Sequence, residues 1–173
     1  QPAKPHDVLF IIPTAKLFGG IVVVYEIVNR LLLLGLRANA IVINDESPVD
    51  MQLLWSPIFK PFAEWQKAPP RAALYVATHY ETTPYAAFAQ GHYPDAKMLY
   101  LIQGYESWFP GATIEEVVHT YRAIPNRVAV STWVKEMVER WGVDCEVIPN
   151  GVDTSFFYPL DPACLGIVKA DQA

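Results

Sequence analysis

Gln103, Tyr105 and Glu106 follow directly on the apolar run Leu99-Tyr100-Leu101-Ile102, so a buried strand would deliver an amide, a phenol and a carboxyl together at its carboxyl end. Gln103 can hydrogen-bond a hydroxyl, Tyr105 can stack on a ring, and Glu106 can accept hydroxyl hydrogens or act as a base. The competing explanation is an ordinary solvated loop, weighed against how often such loops carry function. His79, in Ala77-Thr78-His79-Tyr80-Glu81, occupies the corresponding place after another apolar run and can donate to a hydroxyl or a phosphate. A structural histidine satisfied by hydrogen bonds is the simpler account of it.

Gly19-Gly20 precedes an apolar segment of helical length. The free N–H groups and positive dipole end of a helix start attract phosphate, and glycine lets a ligand approach the backbone closely. The loop has neither the G-x-G-x-x-G spacing nor the Lys-Ser/Thr pair of a P-loop, so specific NAD or ATP binding is not supported. A plain tight turn accounts for the two glycines equally well. Ser131 opens a helix with no neighbouring base and no G-x-S-x-G elbow, which fits a cap rather than a nucleophile. Glu115 and Glu116 are neighbours in sequence and do not share a helix face. His6, His92, His119, Cys145 and Cys164 lack metal-ligand spacing, so no metal site is expected.

Loops of this kind need strands to hold them in one place. Short apolar runs recur at Val8 to Ile12, Ala38 to Ile43, Ala72 to Ala77, Met98 to Ile102, Val128 to Val130 and Glu146 to Ile148, separated by helix-length segments. Ile21 to Leu34 is expected as a helix closed by Gly35, and Thr83 as a cap with Pro84 at the first helical position. Ser131 is expected to cap Thr132 to Trp141, with Gly142 closing that helix. The proline-rich stretch Asn44 to Arg71 reads as an irregular excursion with a short helix. Six strands alternating with helices make a doubly wound parallel α/β sheet the natural assembly, with ligands at the carboxyl ends of the strands.

Composition limits the function classes. The chain has 173 residues, 52% of them hydrophobic, enough for one domain with a substantial core. Its 13 basic and 18 acidic residues give a net charge of −5, and no basic run appears, so no nucleic-acid partner is expected. Ile21 to Leu34 is shorter than the roughly 20 residues of a membrane span and contains Glu26, Asn29 and Arg30. A cytoplasmic protein is expected, with peripheral contact to the inner membrane face as a further expectation.

The order of these features resembles the N-terminal half of GT-B glycosyltransferases, in particular the retaining family 4. Gly19-Gly20, Val130-Ser131-Thr132-Trp133 and, above all, Val147-Ile148-Pro149-Asn150-Gly151-Val152-Asp153 with Phe156-Phe157-Tyr158-Pro159 carry the likeness. Leu101-Ile102-Gln103-Gly104-Tyr105-Glu106 is similar to a Gln-Asp-Tyr-Glu signature in a subset acting on surface polysaccharides, with Gly104 in place of the Asp. Many members have a His where Gln103 stands, so the donor-sugar contact of that His is not transferred.

The resemblance implies a Rossmann-like acceptor-side domain over residues 1–153 and an interdomain connection from 154 to 173, with Asn150, Gly151 and Asp153 as a hinge. Gly19 and Gly20 would line the donor-phosphate side of the cleft, and Gln103, Tyr105, Glu106 and His79 would contact sugar or acceptor. The donor would be a nucleotide diphosphate sugar, bound mainly by a C-terminal domain in cis or in trans, and the acceptor a glycan or lipid-linked molecule. The resemblance implies neither an essential metal nor a cofactor. A non-catalytic Rossmann-like module that pairs with a separate subunit is the alternative, and a dinucleotide-dependent oxidoreductase a distant third.

Overall fold

Seven strands, all parallel, form one sheet in the order β3-β2-β1-β4-β5-β6-β7 in the computed structural model, which describes residues 5–44, 53–152, 154 and 157–160. They are β1 His6–Ile12, β2 Ala38–Val42, β3 Ile58–Phe59, β4 Ala72–Ala77, β5 Lys97–Ile102, β6 Arg127–Ala129 and β7 Glu146–Val147. The helices are α1 Gly19–Leu33, α2 Phe62–Lys67, α3 Thr83–His92, α4 Ile114–Ala123 and α5 Thr132–Glu139. From β1 the chain steps outward through β2 to β3, then returns to β4 on the other side of β1 and runs outward through β7. The direction reverses between β1 and β4, and a crevice opens there at the strands' carboxyl ends.

Alternation along each strand sorts the core into two layers. Phe10, Ile12, Val76, Leu101 and Val128 face α1, which buries Ile21, Val24, Tyr25 and Val28 against them. Leu9, Ile11, Tyr75, Ala77, Tyr100, Ile102 and Ala129 face the other way, against Trp65 of α2, Ala86 and Ala89 of α3, Val117 and Tyr121 of α4, and Val134 and Val138 of α5. The molecule is therefore a doubly wound, Rossmann-like α/β domain. Among the described residues no helix is long and apolar enough to cross a membrane.

Several expected boundaries move. A seventh strand, β3, lies inside the proline-rich excursion, paired Ile41 to Ile58 and Val42 to Phe59. Two residues set between Pro57 and Pro61 are too few to show a period. Helix α1 begins at Gly19, so the glycines form its first turn instead of a preceding loop. At its end, Leu36 N–H donates to Leu31 O and Gly35 N–H to Leu32 O, with Gly35 at φ +83°, a Schellman closure.

Thr83 is the first residue of α3 rather than its cap. The residue before it, Thr82, turns its hydroxyl back to the preceding loop. Helix α5 ends at Glu139, two residues before Trp141, and Gly142 at φ +74° turns the chain. Ser131 does cap α5, accepting from Val134 N–H at 3.2 Å. Both tryptophans of the excursion turn inward, whereas Phe59 is exposed: Trp65 is fully buried with Nε1 donating to Tyr85 O, and Trp55 packs edge-on to Tyr25 while its Nε1 donates to Asn29 Oδ1.

Candidate functional site

The β4 side of the crevice is fixed by a knot of threonines. Thr78 Oγ1 donates to Ile11 O at 2.8 Å and so ties the end of β4 to β1. Thr82, fully buried, accepts from the N–H groups of Thr78 and His79 at 3.0 and 3.1 Å and donates to His79 O at 2.7 Å. The loop that carries His79 therefore has most of its polar backbone satisfied internally, which leaves little freedom to its conformation.

His79 stacks on Phe109, ring centroids 5.4 Å apart at 12°. Burial lowers its pKa from 6.5 to about 4, so the ring is neutral at pH 7. Nδ1 accepts from Glu81 N–H at 3.4 Å, which assigns the ring proton to Nε2. The Glu81 carboxylate is also 3.5 Å from Nδ1, but with a neutral ring this is no ion pair. His79 is a neutral donor, suited to a hydroxyl more than to a phosphate.

Gly20 and Gln103 meet across the crevice. A Cβ built on Gly20 would lie 3.2 Å from Gln103 Nε2 and 3.3 Å from Oε1, whereas one on Gly19 would meet nothing within 4 Å. The open side of Gly20 is thus occupied by the Gln103 amide rather than kept clear for a phosphate. Gln103 Oε1 is shut off from solvent without a hydrogen-bond partner, a cost of about 1–3 kcal/mol by the usual desolvation penalty. No side chain caps the start of α1, in contrast to α4, where Thr113 and Glu116 form a reciprocal box.

Glu106 departs most from expectation. It lies in a single 3-10 turn, Glu106–Trp108, only 1% exposed, and its Oε2 accepts a very short hydrogen bond from Tyr100 OH. Burial raises its pKa to about 8, partly offset by the hydrogen bonds from Tyr100 and from the Tyr80 backbone. The carboxyl expected at the loop surface is thus enclosed beneath the loop. It holds the turn to the sheet.

Above that turn the aromatic side chains gather at the surface. Tyr105, Trp108 and Trp133 are in mutual contact, with ring centroids 5.3 Å apart for Tyr105 and Trp108, 5.5 Å for Trp108 and Trp133 and 6.4 Å for Tyr105 and Trp133. Trp108 is 69% exposed and Trp133 47%. Trp133 is absent from the sequence-based site. Trp133 is the second residue of α5, and only the adjacency of β5 and β6 brings it beside the turn after β5.

No family model matches the chain, and no curated protein does. Its chemistry must therefore be argued from the site. Among the described residues no group of three or more His, Cys, Asp or Glu is placed to hold a metal ion. The proposed hinge residues Asn150 and Gly151 are exposed where the chain leaves the sheet; Asp153 lies outside the described residues, as do most of 154–173.

A concavity of about 630 Å³ lies at the amino ends of β5 and β6, around Lys97, Leu99, Asn126 and Arg127. Two of its cations are engaged structurally. Arg127 donates to the carbonyls of Asp144, Tyr121 and Ile124, and Lys135 pairs with Glu139. In a sheet of this topology ligands collect at the opposite end, which favours the crevice over this groove.

Proposed function

We propose that this chain is the acceptor-side domain of a glycosyltransferase of the GT-B type, moving a sugar from a nucleotide diphosphate sugar to a glycan or lipid-linked acceptor together with a donor-binding domain. The observation that carries this reading is the seating of Gln103 on Gly20, which brings the first turn of α1 and the loop after β5 together at the carboxyl ends of the strands. The polar groups there are suited to hydroxyls: an amide, a neutral imidazole donor and a phenol. None of these three is an activated nucleophile, which fits a domain that works together with a donor-binding partner.

The resemblance of the segment from Val147 to Val152 to the interdomain connection of family 4 enzymes supports the same division of labour. Ile148, Val152, Phe157, Tyr158 and Leu160 are all more than half exposed, apolar side chains suited to packing on a further domain. The chain alone, incubated with nucleotide diphosphate sugars and oligosaccharides, is expected to bind saccharide and transfer nothing. Joined to or mixed with a donor-binding domain it is expected to transfer. Robust transfer by the purified 173-residue chain would contradict the proposal.

A further inference from the structure

Two tryptophans left at the surface of a domain with an ample core require an explanation. Trp108 is 69% exposed and Trp133 47%, yet each stands on a rigid support. Beneath Trp108, the turn Glu106–Trp108 is pinned by the buried Glu106 to Tyr100, and Trp108 N–H donates to Tyr105 O while Phe109 N–H donates to Glu106 O. Beneath Trp133, the first turn of α5 is fixed by the Ser131 cap. The rings are held out rather than left out.

Their arrangement narrows what they hold. Trp108 and Trp133 are tilted by 46° to each other, and Tyr105 stands edge-on to Trp108 at 90°. The cluster combines flat apolar faces with two indole N–H groups and a phenolic O–H at its edges. The segments that carry it, residues 103–113 and 130–134, contain no Lys or Arg, and the chain has a net charge of −5. Phosphate-bearing or otherwise anionic occupants, whether nucleic acid or acidic lipid, meet no complementary charge there. A pyranose ring presents an apolar C–H face and a rim of hydroxyls, the complement of such a surface.

We propose that Tyr105, Trp108 and Trp133 form a stacking platform for an uncharged pyranose, which makes the acceptor of the cleft a neutral glycan. This deepens the acceptor-side reading and rests on it. Tyr105 and Trp108 lie on the loop that continues from Gln103, with Trp133 beside them at the start of α5, so a sugar stacked on the three rings is placed at the carboxyl ends of the strands and not at the groove between the amino ends of β5 and β6.

Calorimetric titration of the whole chain with maltohexaose, chitohexaose and mannohexaose, against a hyaluronan hexasaccharide and phosphatidylcholine vesicles, tests the assignment. At least one neutral hexasaccharide is expected to bind, hyaluronan not. Trp108→Ala and Trp133→Ala are each expected to weaken that binding about tenfold, the size of losing one stacked ring, while Trp133→Phe retains most of it. Both positions are surface ones, and unchanged urea unfolding of the variants verifies that the fold persists. Neutral binding that the alanine variants leave intact overturns the platform and spares the acceptor-side reading. Binding of vesicles alone, or of hyaluronan in preference, overturns the neutral-glycan assignment and leaves a lipid-linked or acidic acceptor. No binding to any probe overturns both.

Discussion

Glu106 shows how a residue's chemistry is set by where its chain turns. From its position two residues past Gly104 it reads as a loop carboxylate, but the 3-10 turn folds it under the loop and against Tyr100, and no periodicity signals such a turn. The pKa shifts carry a linked stability prediction. Glu106, raised from 4.5 to about 8, contributes stability that is fully present below pH 4.5 and lost as pH rises through about 8, because over that interval the folded state holds a proton the unfolded state has released. His79, lowered from 6.5 to about 4, contributes in the opposite sense, present above 6.5 and lost as pH falls through about 4.

The two slopes oppose each other between pH 4.5 and 6.5, and Glu106 acts alone above 6.5. His6, also lowered by burial, adds to the His79 slope below pH 6.5, so stability from urea unfolding should not fall across the first interval and should fall above it, by at most about 1.4 kcal/mol per pH unit. Glu106→Gln should abolish the fall and expose a rise below pH 6.5; an unchanged profile would show that the carboxyl is not protonated in the fold. Gly20 carries a second prediction. Gly20→Ala should displace the Gln103 amide and weaken saccharide binding with little loss of stability, since the atoms it meets end a flexible side chain and Ala favours the helix by about 1 kcal/mol. Gly19→Ala, which meets nothing, should leave binding as it was.

Most of the framework was legible before any coordinates. All six apolar runs fall on observed strands within a residue or two, because strands covered on both faces must be continuously apolar. The Schellman glycine Gly35 and the Ser131 cap follow from local hydrogen-bonding needs that sequence displays directly. What sequence hid was non-local. Strand β3 is too short to announce itself, and the contact of Trp108 with Trp133 joins elements 25 positions apart, the difference of their residue numbers. Thr82 was obscured in another way, since Thr83-Pro84 looked like the helix start while Thr82 served the loop before it. Thr82→Val should orphan the buried N–H groups of Thr78 and His79 and cost about 2–3 kcal/mol by urea unfolding, with Thr82→Ser retaining most of it. Equal stability of the two variants would mean the hydroxyl does not hold the loop.

For the molecule as a whole, the sheet order explains why one end is the place to look for function. The reversal between β1 and β4 gathers the loops after β1, β4 and β5 at their carboxyl ends, with Thr78 locking the two central strands and Gln103 closing on Gly20. A domain so organised presents a polar and aromatic surface at that end, which suits one wall of the shared site proposed above. Backbone amide shifts followed by NMR, while a neutral hexasaccharide is titrated into the chain, test this most directly. The account predicts perturbations concentrated at Gly20, His79, Gln103, Gly104 and Tyr105. Perturbations confined to Lys97, Leu99, Asn126 and Arg127 at the opposite ends of the strands, or none at all, would contradict it.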